Sequence, residues 1–121
     1  MALAPSELAV LVVDDQPNVR ATAVDMFQAF GMTVYDAYNG ADALRLLSAH
    51  PEIALLFADV RMPGMAGDVL AREAQRVRPG LKIILTSGYV DGVPLPDVPF
   101  LRKPYRASDL AALVRPPNGG H

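Results

Sequence analysis

The chain has 121 residues, 51% hydrophobic and 20% charged, with a formal net charge of −2 and no cysteine. That length suits one domain and excludes two, and the lack of thiols removes disulfides, thiolate metal sites and thiol catalysis, in keeping with a reducing compartment. No basic block offers the electrostatic footprint of direct nucleic-acid binding, no apolar run approaches the ~18 residues of a membrane span, and the opening MALAPSE lacks the basic start of a signal peptide; a soluble, cytoplasmic protein is expected.

The run LAVLVV (8–13) is continuous and β-rich, as in a strand buried on both faces. From Pro17 to Phe30, Val19, Ala23, Met26, Phe27 and Phe30 recur at helical spacing, and Gly31 suits the helix C-terminus. MTVYDA (32–37) reads as a second strand. Asn39 then caps a second helix, with Asp42 in a capping-box-like position and Ala43, Leu44 and Leu47 facing inward; His50-Pro51 stops it. IALLFA (53–58) is the third strand. The loop DVRMPGMAG leads to a third helix whose inner face is Leu70, Ala74 and Val77, broken by Arg78-Pro79-Gly80. LKIIL (81–85) is the fourth strand and PFLR (99–102) a short fifth. Ser108 opens a last helix anchored by Leu110, Leu113 and Val114, which Pro116-Pro117 ends.

Strand alternates with helix, so the expected fold is α/β: a parallel sheet with right-handed crossovers and helices on both faces. Residues 1–7 form an N-terminal extension, 8–115 the domain and 116–121 a disordered tail. One segment breaks the pattern. Alternation asks for a crossover helix after Thr86, but SGYVDGVPLPDV carries two glycines and two prolines, so the stretch 88–98 is expected to hold a turn or two of helix at most.

Five polar residues stand where the apolar runs end. Asp14 and Asp15 close the first, Asp59 the third and Thr86 the fourth, and Lys103 follows the fifth. In a parallel sheet these positions converge on the carboxyl edge, where open α/β sheets bind ligands. Taken singly, the aspartates read as turn or cap residues, Thr86 as a satisfied hydroxyl and Lys103 as a solvated charge. Gathered together, they read as a site for a divalent cation and a phosphoryl group. Two carboxylates 4 Å apart repel by about 4 kcal/mol at an effective dielectric near 20. A hard ion with oxygen ligands relieves that, and Mg²⁺ suits one or two carboxylates with waters and a phosphoryl oxygen. Neither histidine has a metal-ligand pattern around it, His50 reading simply as exposed, and the Gly-rich nucleotide signatures are missing.

The stretches VVDDQPNVR, YNGADAL, ADVRMPGMAG, IILTSGY and FLRKPY, in this order and over about Leu8 to Val114, resemble the receiver domain of bacterial two-component response regulators. The resemblance implies a doubly wound five-stranded parallel sheet, flavodoxin-like in strand order. It also implies that Asp59 accepts the phosphoryl group, that Asp14, Asp15 and Asp59 hold Mg²⁺ together with the carbonyl of Arg61, and that Thr86 moves onto the phosphoryl group. Phe100 would respond to that movement, although core packing explains it equally well. Lys103 would pair with the phosphate, across a cis bond to Pro104. The implied partner is a sensor histidine kinase or histidine phosphotransfer protein, with output through protein contacts by a monomer or weak dimer. The SGY…KPY pattern is similar to receivers of hybrid sensor kinases, and a free-standing regulator is the other option.

Gln16 stands where an acidic residue is common, and Ala66 replaces a frequent Asp cap. Gly88 and Arg61 take positions at the site mouth that govern water access. Tyr89 and Tyr105 read as surface or partner-facing aromatics, and Met62 and Met65 as packing. Two other readings compete. A non-phosphorylated pseudo-receiver scaffold would use the fold for docking only. A phosphohydrolase would carry a general-acid Asp two residues after the nucleophile, where this chain has Arg61.

Overall fold

The apolar runs become strands of one sheet. The computed structural model describes residues 8–88 and 95–114. Its elements are β1 (Ala9–Val13), α1 (Pro17–Ala29), β2 (Thr33–Ala37), α2 (Gly40–Ala49), β3 (Ile53–Asp59), α3 (Gly67–Val77), β4 (Lys82–Ser87), β5 (Phe100–Arg102) and α4 (Ala107–Val114). The strands lie in the order β2-β1-β3-β4-β5, and every pairing is parallel. This is the doubly wound, flavodoxin-like order, whose direction reverses between β1 and β3.

Alternate residues of the central strands feed two cores. Leu11, Val13, Leu56, Ala58, Ile83 and Leu85 pack with Ala43 and Leu47 of α2 and Leu70, Ala71 and Ala74 of α3. Val10, Val12, Leu55, Phe57 and Ile84 pack with Ala23 and Phe27 of α1 and Leu110 of α4. Because both faces are covered, the central strands read as unbroken apolar runs.

The local expectations hold with a few changes. Asn39 caps α2, its side chain accepting from the Asp42 amide at 2.8 Å. Gly31 takes a positive φ of 86° after α1, a conformation that costs glycine little. Ala66 opens α3 without a side-chain cap. Val77, expected inside, is 55% exposed; Ala71 takes the buried place instead, one turn before Ala74. The fourth strand runs through Thr86 to Ser87, two residues past its apolar run. His50 is half-buried rather than merely exposed, because its ring stacks on Tyr35 at 4.2 Å. No helix stands between β4 and β5 among the described residues. The extension 1–7, Tyr89 with residues 90–94 of the Gly/Pro stretch, and the tail from 115 lie outside those residues. No helix among the described residues is long and apolar enough to cross a membrane.

Candidate functional site

Asp14 follows β1 directly, and Asp59 is the last residue of β3, so the two flank the point where strand order reverses. Thr86 pairs with Asp59 across β3–β4 and with Leu101 across β4–β5. Lys103 comes one residue after β5, its amide donating to the Ser87 carbonyl at 2.9 Å. Parallel register therefore brings residues up to 89 positions apart to one rim. The start of α3 presses on the same rim. A Cβ on Gly67 would lie 2.1 Å from the Asp59 carbonyl oxygen, so only glycine lets that helix approach the end of β3.

Asp14, Asp15 and Asp59 can each offer one carboxylate oxygen such that the three lie within 4.8 Å of one another. Lys103 Nζ stands 3.1 Å from Asp59 Oδ2 and 3.4 Å from Asp14 Oδ2. The Asp14 and Asp59 residues are only 4% and 7% exposed. Backbone amides steady both carboxylates: Gln16 donates to Asp14 Oδ1 at 2.9 Å and Arg61 to Asp59 Oδ1 at 3.2 Å. Asp15, Gln16, Asp59, Arg61, Gly88 and Lys103 line an open cleft of about 440 Å³ above the carboxylates.

The electrostatics are those of a crowded anionic pocket. Burial pushes the Asp14 carboxyl above its usual range, and the neighbouring Asp59 adds to the rise; the Gln16 amide and Lys103 oppose it. Tyr105, just past Lys103, is pushed up to about 12, first by burial and then by Asp14 and Asp59. Three carboxylates crowd together here beside Lys103, with Arg61 at the cleft wall. The ligand set is hard oxygen with open cleft space for waters, which fits Mg²⁺.

The structure thus brings together Asp14, Asp15, Asp59 and Lys103, with Arg61 at the cleft wall. Thr86 is placed differently. It is 1% exposed, and its hydroxyl donates to the Leu101 carbonyl at 2.7 Å. Phe100 is half-buried against the α2/α3 core. The Lys103–Pro104 bond is cis. Met62 is buried, and Met65 packs over Gly40 at the start of α2. Tyr105, expected at the surface, is half-buried on the other face, its ring edge-on to Phe57 at 5.9 Å.

Sequence reasoning missed two residues. Arg20 donates from Nη1 to the Asp14 carbonyl at 2.8 Å and from Nε to Asp36 at 3.0 Å. The stretch VVDDQPNVR contains it, but helical spacing gives no hint that a side chain on α1 reaches back to the end of β1. The strand pattern of MTVYDA gives Tyr35 no partner, yet its hydroxyl donates to Glu52 at 2.5 Å.

The sheet order, the acidic rim and the lysine opposite it define a receiver-type fold and site. The chain belongs to the response regulator receiver domain family, which matches residues 10–115. Receiver domains of this family are signalling modules of two-component systems. It is 34% identical over 113 residues to the sensor kinase CckA of Brucella abortus, an alignment covering 88% of this chain but 12% of that protein. It is 33% identical to the response regulator receiver protein CpdR of the same organism, covering 84% of this chain and 88% of that one. Among solved structures, the response regulator TrrA of Thermotoga maritima, in complex with Mg²⁺-BeF, superposes with a TM-score of 0.79 at 28% identity, covering 88% of this chain and 96% of that one.

Proposed function

We propose that residues 8–115 act as a phosphorylation-dependent receiver that takes a phosphoryl group from a partner phosphohistidine onto Asp59 and passes the signal on through protein contacts. The observation that carries this reading is the approach of three carboxylates within 4.8 Å, with Lys103 bound to the one at the end of β3. The Mg²⁺–BeF complex of TrrA supports it by likeness.

Asp14, Asp15 and Asp59 would hold Mg²⁺, with the Arg61 carbonyl as a further ligand. When bound, the ion supplies charge neutralisation for the phosphoryl oxygens. Asp59 Oδ attacks phosphorus; the new P–O bond forms as the P–N bond to the donor imidazole breaks, and the leaving nitrogen keeps the electron pair. A carboxylate is a weak nucleophile, so the rate depends on in-line positioning and on neutralised equatorial oxygens. Lys103, already 3.1 Å from Asp59, would supply further positive charge to the phosphoryl oxygens.

Readout passes through Thr86. In this state its hydroxyl is occupied by the Leu101 carbonyl. A phosphoryl group on Asp59 offers a charged acceptor, and such a bond is roughly twice as strong as a neutral one. The Thr86 hydroxyl then leaves the Leu101 carbonyl of β5, and Phe100, next to Leu101, repacks. Phe100 has no hydroxyl, so its inward state forfeits no polar partner. Phosphorylation biases a two-state packing equilibrium.

Incubating the protein with Mg²⁺ and acetyl phosphate tests the reading by mass spectrometry. Wild type should gain one phosphoryl group and Asp59→Asn none. No gain on wild type, or an equal gain in the variant, defeats it and leaves the docking-scaffold alternative.

A further inference from the structure

Arg20 joins three elements around the acidic pair. From α1, its Nη1 donates to the Asp14 carbonyl oxygen at 2.8 Å, and its Nε donates to Asp36 Oδ2 of β2 at 3.0 Å. That carbonyl belongs to the peptide between Asp14 and Asp15. A peptide unit is planar, so locking its oxygen restricts ψ of Asp14 and φ of Asp15, and with them the directions in which both side chains leave the chain. The amide of Asp14 is held separately, by the Ala37 carbonyl at 3.2 Å. Asp36 immediately precedes Ala37. The Arg20–Asp36 pair therefore ties the guanidinium to the stretch of β2 that grips the Asp14 amide, and the Asp14 main chain is clamped on both sides. The Arg20 side chain is only 20% exposed.

We propose that Arg20 is a positioning residue that aims the Asp14 and Asp15 carboxylates at a divalent cation, acting through the peptide between them. This rests on the Mg²⁺ reading above. A merely electrostatic role has the opposite sign. A guanidinium beside an acidic pocket repels a dication, so removing its charge alone tightens metal binding. Removing a clamp on the ligands weakens it.

The test is calorimetric titration of Mg²⁺ into metal-free wild type, Arg20→Met, Arg20→Lys and Asp36→Asn, each shown to be folded by circular dichroism. Arg20→Met should bind about tenfold more weakly, the lower end of the loss seen when a partner supporting a metal ligand is removed. Arg20→Lys keeps the charge but offers no planar fork for two bonds, so it should fall between wild type and Arg20→Met. Asp36→Asn should show the smallest loss. In metal-free protein, the NMR shifts of the Asp14 carbonyl carbon and the Asp15 amide should move in Arg20→Met while those around Leu110 stay in place. Unchanged or tighter Mg²⁺ binding in folded Arg20→Met, with wild type binding normally, overturns this proposal alone. Wild type that takes up no Mg²⁺ overturns the metal reading and this proposal with it. If Arg20→Met does not fold, the ordering of Arg20→Lys, Asp36→Asn and wild type decides the matter.

Discussion

At both rims of the sheet a cation reaches in among oxygen atoms, with opposite results. At the amino rim, Arg78 follows α3 and donates to the carbonyls of Leu47, His50 and Ile53, joining the end of α2 to the start of β3. Nearby, Lys82 donates to the Leu113 carbonyl near the end of α4 at 2.8 Å. These partners are neutral dipoles, and those of Leu47, His50 and Leu113 lie at helix C-termini, where a positive charge is favourable. At the carboxyl rim, Lys103 meets two carboxylates, and a third lies close by. The first arrangement satisfies its groups and closes a joint. The second gathers three carboxylates at one edge of the sheet. A rim built for stability uses carbonyls, and a rim built for binding keeps unbalanced ions at some cost to stability.

The largest effect expected is at the binding rim. Asp59→Asn should abolish phosphoryl acceptance from acetyl phosphate while leaving urea unfolding near wild type, as read by mass and by circular dichroism. Next comes Arg78→Ala. Stripping partly buried carbonyls of their donor should cost about 2–3 kcal/mol, seen as a lower urea midpoint at unchanged slope. Its Mg²⁺ affinity, measured on folded protein, should stay at the wild-type value; an equal loss there would break the contrast between the rims.

Lys103→Met should destabilise metal-free protein by about 1 kcal/mol, less than a fully buried pair would lose because the Lys103 side chain is 22% exposed. Magnesium at 100 times its dissociation constant should then return about 2.7 kcal/mol, read as a rise in melting temperature. Failure of Mg²⁺ to stabilise this variant would mean that the acidic rim does not hold the ion.

The smallest effect is that of Asp14→Asn. Burial holds the folded carboxyl of Asp14 above the ordinary carboxylate value of 3.8, so the folded state binds protons more tightly than the unfolded chain. Wild type is therefore favoured below that value and loses stability as pH rises through the folded pKa. Relative to wild type, metal-free Asp14→Asn should melt higher at neutral pH, with the gap closing toward pH 3.8. Thermal melts across that range, without Mg²⁺, check the sign.

The acidic side of this contrast is legible in the sequence. Asp14, Asp59, Thr86 and Lys103 announce themselves because each polar residue interrupts or follows a buried run, and parallel topology sends all such positions to one edge. Asn39 and Gly31 were legible because caps and turns are local. Val77 and Tyr105 were not. An apolar residue at the end of a helical stripe is buried only if the neighbouring element extends that far, and Val77 outruns its cover. Tyr105 looks like a surface residue beside Lys103-Pro104, yet Phe57 offers its ring an edge to pack against.

The residue order of this chain settled which side chains are polar among apolar neighbours, and hence the alternation of strand and helix and the membership of the acidic rim, because burial periodicity and turn chemistry act over a few residues at a time. Only the folded arrangement decided which partner each long side chain takes: Arg20 the Asp14 carbonyl, Arg78 the end of α2, Thr86 the carbonyl of Leu101. Those bonds span elements distant in sequence, and a flexible stem with a charged or polar tip carries no local mark of where it will end.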